Sequence, residues 1–219
     1  MHKTTKAQPC RRVVVDARRT QANEETQTRE IVMFPIVRLI KDMLIARKLP
    51  PLPLTGTHVS HHICWPWDLD MWLELNNGRA MTLYDLGRSM NAQRVGLVKV
   101  ISGQRWGLTM AGSTVRFRRR IRGFEKFEMR SRAVCWDEKF IYLEQSMWKK
   151  NGECASHVLF RSAVTDKNGL VTPDRVLAAL GQNLASPPMP DWVAAWCASD
   201  AQRPWPPMQT TIAPPPSGS

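Results

Sequence analysis

The sequence predicts an α+β protein in which an antiparallel sheet wraps one long central helix. Three observations carry this. A run opening at Asn76-Asn77 reads as helix, with Ala80, Leu83, Tyr84, Gly87 and Met90 recurring at spacings of three and four. Four alternating segments follow in quick succession, at 113–121, 127–136, 140–148 and 154–165, separated by turn residues. At 219 residues and 43% apolar, the chain can bury one ordinary core with length left for tails. A sheet with one apolar face can cover a single helix and bury both.

In chain order, residues 1–30 are polar and basic, without periodicity, and are expected to be disordered. Residues 31–54 hold an amphipathic helix and a Pro-rich turn. Ile36, Leu39, Ile40, Met43 and Leu44 form its apolar face, and Arg38, Lys41, Asp42 and Lys48 fall largely opposite. The favoured expectation is packing on the domain behind it. The competing one is peripheral contact of 34–48 with a membrane surface. Residues 55–182 form the main domain. A first strand spans 57–65, and a loop runs into the long helix, which frays near Gly96. A segment with Gly103 and Gly107 then returns the chain to the four strands. Phe127, Met129, Ala133 and Cys135 are expected inward, and 140–148 reads as a central strand apolar on both faces. Pro173 opens a short helix that ends at Gly181. Residues 183–219 are a Pro/Trp-rich tail, largely extended, with a brief helix at 191–198.

A net charge of +12 suits polyanionic partners: nucleic acid, anionic lipid or phosphate-bearing small molecules. Nucleic acid is the weakest of these, because no helix-turn-helix, zinc finger or aromatic RNP-like motif accompanies the charge. The cysteines are odd in number and scattered, with no C-x-x-C, so they read as reduced thiols. His61 and His62 point to opposite faces of a strand and would chelate poorly, so neither metal nor cofactor is called for. There is no apolar run long enough to span a bilayer and no secretory signal, which points to the cytoplasm. Arg11, Arg12, Arg18 and Arg19 hint at an organellar presequence, against which Asp16, Glu24 and Glu25 weigh.

The most informative stretch is WPWDLDMWLELNNGRAMTLYDLGR, 65–88. A carboxylate-bearing loop runs straight into a helix whose Asn cap and first amides favour negative charge. A carboxylate can act as general base, and a helix start can stabilise an oxyanion. As a rule, though, such aspartates are turn and cap residues. The order D-x-D, five residues, N-N, then an arginine eleven residues on resembles the signature of the hotdog-fold thioesterases. Both the 4-hydroxybenzoyl-CoA thioesterase-like branch and the plant acyl-carrier-protein thioesterases carry it. The full phrase looks most like the group that includes mammalian thioesterase superfamily member six. The similarity extends over about 58–181 and includes TVRFRRRIRGFEKFEMRSR and the two strands after it.

The resemblance implies a hotdog fold, a homodimer, and hydrolysis of a fatty acyl-CoA or related thioester. It places the catalytic carboxylate at Asp70, with Glu74 able to assist or replace it. Asp85 on the helix is a further candidate, or else simply the i, i+3 partner of Arg88. Asn76, Asn77, Gly78 and Arg79 are the expected oxyanion site at the helix N-terminus. Arg116, Arg118 and Arg120 would share one strand face; Arg118, Arg120 and Arg122 are the candidates for the phosphates of coenzyme A. A family Gly-His pair is Leu73-Glu74 here, and the aromatic residue after the Asn pair is Ala80. Those departures motivate the alternative, a catalytically silent hotdog protein that binds acyl chains or acts as a scaffold.

Overall fold

The structure, a computed structural model, describes residues 35–207. The basic arm at 1–30, and the ends of the two flanking segments at 31–34 and 208–219, lie outside the described residues. The chain runs α1 (Ile36–Lys48), β1 (His58–Ile63), a 3₁₀ turn (Pro66–Asp68), α2 (Asn77–Arg94), α3 (Leu97–Gln104) and β2 (Gly107–Phe117). It continues with β3 (Lys126–Trp136), β4 (Ile141–Lys149), β5 (Cys154–Asp166), β6 (Gly169–Val171), α4 (Pro173–Ala179) and α5 (Asp191–Ala201). The sheet has the order β1-β3-β4-β5-β2, all antiparallel, with β6 paired to β5.

The helix α2 lies in the concave face of this sheet. Its expected apolar positions Ala80, Leu83, Tyr84, Gly87 and Met90 are all buried, and so is Leu86. A single stripe would not bury Leu86; it is covered because α1 packs along α2, with Leu39 against the same cluster. Helix and sheet approach closely at Gly87, where a Cβ would overlap Met129 Sδ and come within 3.1 Å of Gln145 Nε2 and Ser131 Oγ. Gln145, 1% exposed, sits at that crossing and donates to the Tyr84 carbonyl at 3.0 Å and to Ser131 Oγ at 2.7 Å. The Tyr84 hydroxyl meets Ser156 Oγ at 2.8 Å, so the helix is pinned to the sheet by polar as well as apolar contacts.

Several expected boundaries shift for identifiable reasons. The return segment holds a helix, α3, which starts after Gly96 turns left-handed (φ 84) and ends at Arg105 (φ 55). β2 begins earlier than expected, at Gly107, and ends at Phe117 instead of Ile121. A bulge between Met110 and Gly112 lets Leu108, Met110, Val115 and Phe117 share the side that faces α2. A second bulge, between Ala133 and Cys135, turns Cys135 from the α2 side to the outer face. There it joins Tyr142, Leu159 and Val193 in a cluster covered by α5. The tail thus contributes an eleven-residue helix, longer than expected, held by Arg161 to Asp200 at 2.7 Å and by Trp196 over the Arg161 guanidinium.

The helix α1 packs differently from its apolar periodicity. Leu39 and Met43 are half-buried, but Ile40 and Leu44 are exposed, while Asp42 (3% exposed) and Ala46 face inward. One ionic anchor outweighs the stripe: Arg38 reaches Asp68 at 2.7 Å, and the same rotation turns Asp42 towards β1. On β1, His58 Nδ1 meets Arg94 at 3.0 Å and His62 Nε2 meets Ser60 Oγ at 2.8 Å. Burial, then Arg94, lowers the His58 pKa to about 4. Burial, then Lys41 and Arg38, lowers that of His62 to about 3. Asp42 Oδ2 lies 4.0 Å from His62 Nδ1, beyond hydrogen-bond reach, and does not offset this.

Two tests follow from this packing. Gly87→Ala should destabilise the fold by about 1–3 kcal/mol, because Met129 must move within a filled core; a thermal melt reads the loss. The two histidines are neutral in the folded protein, and the unfolded chain takes up protons below about pH 6.5. Stability should therefore fall as pH drops from about 6.5 towards 4, by up to about 1.4 kcal/mol per pH unit for each histidine. Urea midpoints at pH 7 and pH 5 should converge in His58→Gln/His62→Gln relative to the parent.

Candidate active site

The loop between β1 and α2 is built on Asp68. Its side chain is wholly buried, and its Oδ2 accepts from Arg38 Nη2 at 2.7 Å and from the Trp65 amide at 3.0 Å. Its Oδ1 accepts from Arg79 Nη2 at 2.9 Å and Nε at 3.2 Å, and its backbone carbonyl receives the Asn76 amide at 2.9 Å. The first aspartate of D-x-D therefore ties α1, the loop and the start of α2 together. Asp70, the second, closes a tight turn. Its Oδ1 accepts from the amides of Trp72 (2.9 Å) and Glu74 (3.2 Å), and its own amide donates to the Glu74 carbonyl at 2.8 Å. Within that turn Leu73 is left-handed, φ 59, a conformation that favours glycine. This is the position where the resemblance places glycine, and here leucine holds the left-handed conformation. Trp72 and Leu73 are 72% and 70% exposed and do not plug the loop.

Asn76 caps α2 as expected, its Oδ1 accepting from Gly78 at 2.9 Å and Arg79 at 3.1 Å. That cap corrects one expectation. The Gly78 and Arg79 amides are engaged by Asn76, and the Ala80 amide by the Asn76 carbonyl, which leaves the Asn77 N–H as the open donor at the helix start. A cavity of about 240 Å³ opens beside it, lined by Glu74, Asn77, Ala80, Phe117, Arg118–Ile121 and Ser156. Glu74 is held there by Arg120 Nη1 at 2.9 Å. Asp70 does not line this cavity.

The arginine run also differs from expectation. Because β2 stops at Phe117, Arg118 and Arg119 do not alternate; both their amides donate to the Ala155 carbonyl, and the loop curls around the cavity. Arg118, Arg119 and Arg120 line it and Arg122 does not. Arg119 pairs with Glu153 at 2.9 Å.

Asp85 lies two turns further along α2, paired with Arg88, and both line a second, larger cavity between α1, α2, α3 and the sheet. Arg88 stacks over Phe160 at 4.1 Å and donates to Gln145 Oε1 at 3.4 Å. Burial lowers the Arg88 pKa and Asp85 opposes that shift, so the pair is one unit. Sequence reasoning missed this cavity, because six of its lining residues come from α1 and the unforeseen α3. Cys64 and Cys135 are buried, and burial pushes both thiols up to about 11, so neither is a thiolate nucleophile at neutral pH. Among the described residues no cluster of His, Cys, Asp and Glu could hold a metal ion, and no helix is long and apolar enough to cross a membrane.

Residues 64–197 match the profile of the Thioesterase-like superfamily. The chain is 31% identical over 162 residues to Protein THEM6 of Xenopus laevis, covering 72% of this chain and 77% of that protein. Its fold resembles that of YbaW, a probable thioesterase from Escherichia coli, with TM-score 0.53 and 13% identity over 56% of this chain and 95% of that one. DHNA-CoA thioesterase from Staphylococcus aureus aligns with TM-score 0.50 and 14% identity over 66% of this chain and 91% of that one. At such identities the likeness bears on the fold alone, and that fold is the hotdog.

Removing the Asp68 carboxylate should leave Arg38 and Arg79 without their shared acceptor. Asp68→Ala should cost about 3 kcal/mol, the order expected for breaking a buried pair. Chemical denaturation measures it; a cost below that of an exposed ion pair would remove Asp68 from its structural role.

Proposed function

Because the chain belongs to the Thioesterase-like superfamily, we propose that it hydrolyses a fatty acyl-CoA or related acyl thioester at the start of α2. One observation carries the reading: Glu74, Asn77 at the helix start and a cluster of arginines line a single cavity. Glu74 accepts a proton from water, which attacks the thioester carbon. The negative charge on the carbonyl oxygen is met by the Asn77 N–H and the positive end of α2. The intermediate collapses with cleavage of the carbon–sulfur bond, and the proton passes from Glu74 to the departing sulfur. No cofactor is required.

In this proposal Asp70 is a positioning residue that holds the Glu74 backbone, and its second carboxylate oxygen makes it the alternative base. Asp85, paired and farther along the helix, ranks below both. Arg118 and Arg120 receive the coenzyme A phosphates, joined by Arg119 in place of Arg122. A homodimer fits the exposed edge of β2, which pairs only with β5 among the described residues and leaves Leu108, Val115 and Phe117 about 40% exposed beside both cavities. Peripheral membrane contact through α1 is a further part of the proposal, supported by the exposure of Val37, Ile40 and Leu44 next to Lys41, Arg47 and Lys48.

Thiol release from acyl-CoAs of graded chain length tests it. Glu74→Gln should lower kcat by roughly 10²- to 10⁴-fold. Asp70→Asn should stay near the parent rate, since asparagine closes the same turn, while Asp70→Ala loses more. A large loss in Asp70→Asn with none in Glu74→Gln would reverse the two roles. Acyl-CoA binding without thiol release under any condition would favour the silent acyl-binding reading.

A further inference from the structure

A groove of about 660 Å³ crosses the end of β1, β3 and β4, lined by His61, Lys126, Arg130, Trp148, Lys149 and Lys150. The register sets His61 opposite Glu128 and Glu128 opposite Trp148, so these side chains stand on the sheet face turned away from α2. Glu128 is the one acid in the lining, and Arg130 holds it at 2.6 Å. Lys149 pairs with Glu125 at 3.1 Å. Lys126 and Lys150 make no ion pair among the described residues. The groove thus carries unbalanced positive charge and takes no part in either cavity along α2.

Beside the groove stand aromatic rings that the fold leaves in water. Phe124, two residues before Lys126, is 64% exposed, and its amide donates to the Cys64 carbonyl at 2.6 Å. That bond sets it against the loop after β1, where Trp67, 65% exposed, stacks on Trp65 with ring centres 5.4 Å apart. Trp65 meets Phe124 edge-on at 6.1 Å. Phe124 has φ 61, a left-handed conformation that is unfavourable for a bulky residue. A phenylalanine held at a strained turn and facing water adds little to the core, which directs attention to a surface outside the molecule. The β2 edge, where the homodimer of the proposed function pairs, lies at the other end of the strand order from β1, so that pairing leaves these rings uncovered. Exposed tryptophan and phenylalanine next to unpaired lysines match the chemistry of the lipid–water boundary, where rings lie at headgroup level and cations meet phosphates. A net charge of +12 favours approach to such a surface.

We infer that the β1–β3 end of the sheet docks on an anionic phospholipid bilayer, with Trp67 and Phe124 entering the interface and Lys126 and Lys150 meeting headgroup phosphates. This extends the peripheral contact proposed for α1 and rests on that part of the reading, while hydrolysis is measured apart from it. The full-length protein is floated with vesicles of phosphatidylcholine, with and without phosphatidylserine. The mixed vesicles should bind about tenfold more tightly, and raised salt should erase the difference. Lys126→Glu/Lys150→Glu should abolish the preference. Trp67→Ser, checked for an unchanged fold by circular dichroism, should weaken binding to mixed vesicles about tenfold. Phe124→Gly should weaken it to a similar degree while its thermal midpoint holds or rises, because the strain leaves with the side chain. A purely structural role for the ring would lower that midpoint instead. Equal binding to the two kinds of vesicle, or binding unchanged in Trp67→Ser and Phe124→Gly, would overturn the inference. So would loss of binding in Val37→Ser/Leu44→Ser alone, which would give the contact to α1. Dissociation of a dimer by Trp67→Ser with vesicle binding intact would give the rings to a second copy of the chain and overturn it as well. Thiol release from a soluble acyl-CoA by a protein that ignores vesicles would remove this inference and leave the hydrolase; vesicle binding without thiol release would do the reverse.

Discussion

The buried carboxylate of Asp68 is the constraint on which the rest of the structure depends. An ionised group wholly out of water is tolerated only if its oxygens are met by charge and hydrogen bonds, and Arg38, Arg79 and the Trp65 amide meet them. Because Arg38 comes from α1 and Arg79 from α2, satisfying one aspartate also fixes two helices against each other. That docking carries Leu39 and Met43 to the wall of the larger cavity, and it holds the Asn76 cap at the mouth of the smaller one. With Arg38 so held, Ile40 and Leu44 of the apolar stripe stay exposed. The ionic anchor decides because only one rotation of α1 pairs Arg38 with a carboxylate that has no access to water.

A second constraint acts at the other face of α2. The missing side chain at Gly87 lets the helix sink onto β3 and β4, where Gln145 bridges the Tyr84 carbonyl and Ser131. Close approach and polar pinning reinforce each other, since a buried amide needs its partners at fixed distances. The helix is thereby clamped from both sides, by Asp68 through α1 and by Gln145 through the sheet. A clamped helix start keeps the Asn77 N–H and the Glu74 carboxylate in one fixed relation, which a hydrolytic step needs.

Much of this architecture was legible in the sequence. The capped helix at Asn77, the alternation of β3, β4 and β5 and the Pro173 helix start are local signals, and the chain obeys them. What was not legible depends on distant partners. Nothing in the apolar spacing of α1 announces that Arg38 will seek Asp68 thirty residues on. The β2 and β3 bulges leave no mark in the alternation until the neighbouring strand supplies the register. The brief helix of the tail is readable, but not that Val193 finds a socket among Cys135, Tyr142 and Leu159, over which the helix extends to Ala201. At the site, the loop and its cap were readable, but the relative standing of Asp70 and Glu74 was not. Both are acids near a helix start, and only the turn geometry shows that one holds the backbone of the other.

The turn that Asp70 closes is also where the chain departs from the pattern it resembles. Glycine is favoured at position 73 because the turn needs a left-handed residue; Leu73 adopts it at a cost of about 1–2 kcal/mol, and the Asp70 side chain, bonded to two amides, keeps it closed. The next residue, Glu74, lines the cavity at the start of α2. There a carboxylate replaces the usual imidazole, and a carboxylate among arginines demands a cation. Arg120 supplies it, and Arg118 and Arg119 on the same loop line the same cavity. The change at 74 and the run of arginines at 118–120 are thus one electrostatic arrangement.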